Sequence, residues 1–235
     1  MRQNNIRVRR AVLASGAITV TSALAATPML AQADSVATAT PAASTTLSTR
    51  VASTLSVDRV RRNVAAGGTV VVKGSLKPLT GERPIRLQIQ RKGGWRTVDR
   101  DTTTAAGNYL LKWRARGSVS VKARLIYAGN DKQTPVRRKI GFLNVYRSAF
   151  ASYYGPGLYG NHLGCGGRLM PGTIGVAHKH LRCGSLVTLR YKGRIVRARV
   201  IDRGPYVSGR EFDLTAATKT RLRFGSTGRI QVATG

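Results

Sequence analysis

The last third of the chain carries the few side chains that could perform acid–base chemistry. Asp202 ends an apolar-alternating run and is followed by Arg203 and then Gly204–Pro205, a pair that ends strands sharply. A strand exit is where a rigid scaffold presents side chains to a cleft. A carboxylic acid there could donate a proton and take it back, and His178 could orient it or bind a substrate. Glu211 and Asp213 are the other acids of this segment.

Each of these residues also has a structural interpretation. Asp202 could be a turn-capping carboxylate paired with Arg203, and Asp213 could satisfy backbone N–H groups at a helix entry, with Thr215 as the helix N-cap. Glu211 is expected at the surface. No Cys-x-x-Cys pair occurs, and the histidines lack a helical i, i+4 pair, so neither a metal nor a cofactor is predicted. The histidines are His162, His178 and His180.

Residues 1–33 are predicted to be a signal peptide. Four arginines precede an uncharged apolar stretch over residues 11–26, and Ala31–Ala33 supplies the small residues of a cleavage site before Asp34. A membrane anchor is the alternative, but the stretch is weakly hydrophobic for a span. No other segment could cross a bilayer, so we expect a secreted protein. We also expect it to associate with the cell wall and to be a monomer.

The charge of the chain is strongly one-sided. Lys and Arg number 40 against 9 Asp and Glu, a net charge of +31, and loss of the four signal-peptide arginines leaves +27. Nine acids argue against an enzyme built on carboxylate-bound metals. In a cytoplasmic protein such a charge indicates nucleic acid, whereas outside the cell it indicates anionic wall polymers. A secreted nucleic-acid binder would rest on charge alone, and we do not expect one.

Two cysteines, Cys165 and Cys183, are the only ones in the chain. In a small exported domain they are expected to form one disulfide closing a loop of about 18 residues. A nucleophilic cysteine beside His178 is the alternative.

The rest of the mature chain divides by composition into three segments. Residues 34–52 are rich in Ala, Ser and Thr and indicate a flexible linker. Residues 53–147 contain short alternating runs such as Ile85–Gln90, separated by turn signals, which predicts a β-sandwich that resembles immunoglobulin-like modules. We expect a spacer or wall-binding role for it. Residues 148–235 are rich in glycine and predict a small barrel.

Four motifs in this last segment carry a family resemblance. They are Ala-Ser-Tyr-Tyr-Gly at 151–155, Ala-His at 177–178, Asp-Arg-Gly-Pro-Tyr at 202–206 and Phe-Asp-Leu-Thr at 212–215. Together they resemble the RlpA-like double-psi β-barrel domain, which is related to expansins. The resemblance implies an all-β protein whose C-terminal six-stranded double-psi barrel acts on peptidoglycan glycan strands, either as a lytic transglycosylase or as a non-catalytic, expansin-like binding module.

The resemblance also assigns roles. Asp202 and His178 match positions linked to activity, and Asp213 matches a groove position of expansin-like barrels. The resemblance thus implies that Asp202, His178 and Asp213 are the catalytic residues. One acid suffices for lytic cleavage, because the sugar's own C6 hydroxyl replaces water. A glutamate that is frequent in the family is replaced by Gly167, and this difference favours the binding module.

Several aromatic residues flank the proposed cleft. Their faces suit the apolar faces of sugar rings, and core packing is the alternative for each. With Arg203, they are the candidate substrate-binding residues: Tyr153, Tyr154, Tyr159 and Tyr206.

Overall fold

The computed structural model describes residues 49–235. The predicted signal peptide and most of the predicted linker lie outside the described residues. At the end of that linker, Val51 forms an isolated β-bridge with Gln133.

The described part of the chain is built almost entirely of strands. In chain order the elements are β1 (Thr54–Leu55), β2 (Arg59–Arg61), β3 (Asn63–Ala65), β4 (Thr69–Lys77), β5 (Pro84–Arg91), β6 (Gly94–Thr102), β7 (Asn108–Arg114), β8 (Val119–Tyr127), β9 (Val136–Tyr154), β10 (Gly175–Ala177), β11 (Leu186–Tyr191), β12 (Arg194–Asp202), β13 (Phe212–Thr215), α1 (Ala216–Leu222) and β14 (Gly228–Thr234). No helix within residues 49–235 is long and apolar enough to cross a membrane.

The first half is a two-sheet sandwich. One sheet contains β1, β2, β4 and β7, and the other contains β3, β5, β6, β8 and the first part of β9. Side chains of alternating residues face inward, as Ile85, Leu87 and Ile89 do in β5. Each large apolar side chain buried this way contributes about 1.5–3 kcal/mol. The strand pattern predicted from sequence is therefore realised as a packed core.

The second half is a closed six-stranded barrel in the order β13-β10-β12-β11-β14-β9, closed by parallel pairing of β13 with β9. Glycine at residue 175 of β10 leaves room for the neighbouring strand β12, because a Cβ there would overlap the side chain of Ile201. In β12, Val196, Ala198 and Val200 face the core, and the intervening arginines face solvent. The prediction of an all-β fold with a six-stranded C-terminal barrel is confirmed.

Strand β9 belongs to both halves. Its first part pairs with β8 and β3, and its second part pairs with β14 and β13. It crosses residues 147 and 148 without interruption. Side chains join the halves as well: the hydroxyl of Ser118 donates to the Val232 carbonyl oxygen at 2.7 Å, and Thr188 donates to Ser120 at 2.9 Å. Residues 49–235 are thus one continuous structure with two cores, and the domain bounds of the sequence analysis stay predictions.

Candidate functional site

Asp202 is the last residue of β12 and is half-buried. Its Oδ1 accepts hydrogen bonds from the backbone N–H groups of Gly164, at 2.7 Å, and Arg203, at 2.8 Å. Oδ2 accepts no hydrogen bond of standard geometry from the described residues. No Lys or Arg side chain in residues 49–235 forms a salt bridge with Asp202. The carboxylate is therefore held in place through Oδ1.

The side chain of Arg203 turns away from Asp202. Its guanidinium donates to the carbonyl oxygens of His178, at 3.1 Å, and Leu181, at 2.7 Å, and contacts Sγ of Cys183 at 3.0 Å. Arg203 thus holds the loop over residues 178–183 instead of neutralising Asp202. The alternative of a carboxylate paired with this guanidinium is not realised.

The same loop is tied by a disulfide. Cys165 and Cys183 are joined, with Cα atoms 5.5 Å apart, and the predicted disulfide is confirmed. The N–H of Cys165 donates to the carbonyl oxygen of Ile201 at 3.2 Å. The bond therefore anchors the 178–183 loop to the segment that supplies Gly164 to Asp202.

Asp213 lies two strands away from Asp202, on the same face of the sheet. Both aspartates are register partners of Ala177, the last residue of β10, which places their Cα atoms about 10 Å apart at the usual strand spacing. Ser152 donates to Oδ1 of Asp213, and Arg210 donates to the Ser152 hydroxyl at 3.3 Å. The helix-capping oxygen comes from Thr215, as predicted, and not from Asp213.

Tyr154 stands beside both aspartates. It follows Ser152 by two residues in β9 and so lies on the same face. Its hydroxyl oxygen is buried and makes no hydrogen bond of standard geometry with the described residues. Burial raises the pKa of Tyr154, followed by the charge of Asp202, a side-chain interaction of the phenol with the Asp202 carboxylate and the charge of Asp213. The phenol is therefore a protonated donor next to the candidate acid.

A small cleft opens at this point. It has a volume of about 180 Å³ and includes Asp202 and Tyr154. The other residues that line it are Leu158, Asn161, His162, Leu163 and Leu169. Sequence reasoning placed His162 simply at the surface. Its imidazole, exposed at the rim, could contact a ligand in the cleft.

His178 faces away from Asp202. Its Nδ1 accepts hydrogen bonds from the N–H groups of His180, at 3.0 Å, and Leu181, at 2.9 Å. The ring proton therefore lies on Nε2, which is 3.6 Å from Oε1 of Glu211. Burial lowers the pKa of His178, and Glu211 opposes the shift. A neutral imidazole that holds a loop is the result, and its link to Asp202 is a backbone hydrogen bond of 3.2 Å.

Glu211 was expected only at the surface, and sequence reasoning missed its partners. Its carboxylate pairs with the guanidinium of Arg147 through both oxygens, one at 2.7 Å. This pairing lowers the pKa of Glu211, with a smaller contribution from His178. Arg147 lies 64 residues earlier in the chain, so no local pattern could have revealed the pair.

The predicted tyrosines do not all reach the cleft. Tyr153 lies on the opposite face of β9, where it packs against the barrel core. The ammonium group of Lys219 lies 3.9 Å from the centroid of the Tyr153 ring. Tyr159 and Tyr206 are 40% and 81% exposed, and neither lines the cleft. Within residues 49–235 no group of three His, Cys, Asp or Glu side chains is arranged to hold a metal ion.

The barrel segment is similar in sequence to known proteins. Residues 149–234 match the lytic transglycolase family. The chain is 35% identical over 89 residues to a probable endolytic peptidoglycan transglycosylase RlpA of Synechocystis, and 37% identical over 79 residues to a protein of the same name from Aquifex aeolicus. These matches cover 37% and 33% of this chain, and 28% and 35% of the length of the two relatives. The chain thus spans about a third of the length of each relative. The resemblance to an RlpA-like barrel is thereby confirmed for this segment.

The solved structures add little. A tetra-tandem repeat in the extending region of a large adhesion protein is 13% identical, with a TM-score of 0.34, and the match covers 77% of this chain and 48% of that one. A likeness this low carries no argument about fold or function.

Proposed function

We propose that the C-terminal barrel is a lytic transglycosylase that cleaves the glycan strands of peptidoglycan with Asp202 as general acid and base. The observation that carries the proposal is the state of the Asp202 carboxylate. It lines a cleft, its Oδ1 is fixed by two backbone donors, and no cation of residues 49–235 forms a salt bridge with it. The similarity of residues 149–234 to transglycosylases supports the choice of reaction.

The reaction needs one proton carrier. The Asp202 carboxylic acid gives its proton to the glycosidic oxygen as the bond to the anomeric carbon breaks. The resulting carboxylate then takes the proton of the sugar's C6 hydroxyl, whose oxygen closes a ring on the anomeric carbon. The products are a free-ended sugar and a 1,6-anhydro sugar, and no water is consumed. Because Oδ1 is occupied, Oδ2 is the oxygen that transfers the proton.

The neighbouring groups have supporting roles. The phenol of Tyr154 can donate a hydrogen bond to the carboxylate or to a sugar hydroxyl. Asp213, fixed by Ser152, places negative charge on the same face, where positive charge develops on the sugar ring. His178 and Arg203 are positioning residues, since both hold the loop that flanks Asp202.

A second function is favoured by one position. Gly167 has φ +79° and is exposed, with nothing within 4 Å of the site of a Cβ. Glutamate would be strained in this backbone conformation. Residue 167 therefore lacks the glutamate side chain expected from the family resemblance, and its backbone conformation also disfavours a glutamate there. This difference favours a barrel that binds glycan without cleaving it, at the cell wall.

Product analysis separates the two functions. The chain is incubated with purified sacculi, and soluble anhydro-sugar products are measured by mass spectrometry. Asp202→Asn should abolish them, whereas Asp131→Asn, the same change at an exposed aspartate far from the cleft, should not. Wild-type chain that pellets with sacculi but releases no anhydro product would refute the enzyme and leave the binding module. Products that persist in Asp202→Asn would refute the role of Asp202.

A further inference from the structure

A large basic groove lies on the sandwich, on the sheet face opposite its core. The groove has a volume of about 670 Å³. Four cations line it, together with Trp95 and Phe142. The cations are Lys122, Arg124, Arg137 and Lys139.

Strand register explains why these cations meet. Arg124 is opposite Lys139, and Ile126 is opposite Arg137, in the pairing of β8 with β9. Directly opposite residues project from the same face of a sheet. A register irregularity between Ala123 and Arg124 keeps the charged residues of both strands outward, while Ala123 and Leu125 stay buried in the core. The charges are thus gathered by the fold and are not scattered over a solvated surface.

No acid compensates this charge. The residues that line the groove include no Asp or Glu, and none of its four cations forms a salt bridge within residues 49–235. Arg124 is crowded enough that burial and the neighbouring charge of Arg137 lower its pKa. Like charges held this close repel each other, and an anion placed between them would relieve the repulsion.

The aromatic rings and amides give the groove more than charge. The guanidinium of Arg124 stacks 4.1 Å from the centroid of Trp95, and its Nε donates to Gln88 at 2.9 Å, so its position is fixed. The guanidinium of Arg197, which belongs to the barrel, lies 3.8 Å from the ring centroid of Phe142. A planar guanidinium held in this way presents its remaining donors to a phosphate or carboxylate.

The groove continues towards the barrel. A second depression of about 420 Å³ shares Gln90, Lys122 and Phe142 with it and reaches Leu186 of the barrel. It adds two more cations, Arg91 and Lys92. From Arg137 to Phe142 alone β9 extends about 16 Å at the rise of a strand. The surface therefore fits a chain of repeating anions better than a single ion.

We propose that this groove binds a linear anionic glycan, a carbohydrate polymer that bears phosphate or carboxylate groups along its length. The carbohydrate part of the assignment rests on the proposed function of the barrel, with which the groove is continuous. The anionic part rests on the groove itself. Bound there, the polymer would hold the protein on the wall while the barrel cleft stays free.

The test compares two double variants of equal net charge. Arg137→Gln with Lys139→Gln removes two exposed groove cations, and Lys112→Gln with Arg114→Gln removes two exposed cations from β7 in the other sheet. Affinity is measured by titration with phosphorylated dextran, with alginate and with single-stranded DNA of similar length. We expect the groove variant to lose about three- to tenfold in affinity for at least one glycan, with a shallower salt dependence, and the β7 variant to lose little.

Each outcome decides the proposal. Loss with phosphorylated dextran alone identifies phosphate as the anion, and loss with alginate alone identifies carboxylate. Equal losses in both double variants would overturn the groove in favour of overall charge. Tighter binding of DNA than of both glycans would overturn the carbohydrate assignment. Asp202→Asn should bind these probes as wild type does, so a failed cleavage assay and a failed groove assay are distinct results.

Discussion

Replacing Arg203 by alanine tests whether this side chain holds a loop or binds substrate. The guanidinium donates two hydrogen bonds to backbone carbonyl oxygens of residues 178 and 181. Bonds that involve a charged group contribute about 1.5–3 kcal/mol each, and the low end applies because Arg203 is half-exposed. We therefore expect Arg203→Ala to lower the free energy of unfolding by about 3 kcal/mol, a fall in Tm of about 6–12 °C.

Urea denaturation followed by fluorescence measures the effect. Arg199→Ala is the matched control, because Arg199 donates a single exposed hydrogen bond, to the carbonyl oxygen of Gly184, and should cost less than about 1 kcal/mol. Cleavage by Arg203→Ala at low temperature should be reduced but present, since the backbone N–H of residue 203 still binds Asp202. Unchanged stability together with lost glycan binding would refute the loop-holding role and favour direct contact with substrate.

Three further outcomes follow from the site. Reduction of the Cys165–Cys183 disulfide should lower the free energy of unfolding by about 3 kcal/mol, as urea denaturation would measure. Two free thiols in the denatured, unreduced protein would show that the disulfide is not formed. Since pairing lowers the pKa of Glu211, its contribution to stability is present above the unfolded-state value of about 4.3 and is lost as pH falls through the folded value. Glu211→Gln should thus be destabilised at pH 7, and urea titrations should show its difference from wild type shrinking in acid. Gly164→Ala should reduce cleavage, because a Cβ there lies 3.0 Å from Oδ1 of Asp202, whereas Gly172→Ala, with open space around it, should retain full activity in the same product assay.

Local patterns in the sequence were sufficient for several elements of the fold, whereas the six-stranded barrel was predicted from the family resemblance. Alternation in β5 and β12 and the Thr215 cap depend on residues that are neighbours in the chain, and the structure shows each of them. The position of Asp202 at a strand exit follows from Gly204–Pro205 in the same way.

The directions of the site side chains were less accessible. His178 points to Glu211, and Arg203 to the 178–183 loop, because of where distant backbone groups lie. Tyr153 and Tyr154 are adjacent in the chain, yet strand alternation sends only one of them to the cleft. The groove cations come from β8 and β9, whose pairing contains a register irregularity. No local sequence pattern predicts that irregularity.

The uninterrupted course of β9 has a consequence for which glycan strands the protein could reach. From residue 144 to residue 154 the strand is hydrogen-bonded on its way from one core to the other, without a joint about which the halves could swing. The distance between the sandwich face and Asp202 is therefore constant. An anionic polymer bound in the groove would therefore hold Asp202 at a set distance from itself, and cleavage would be confined to the peptidoglycan strands that lie at that distance.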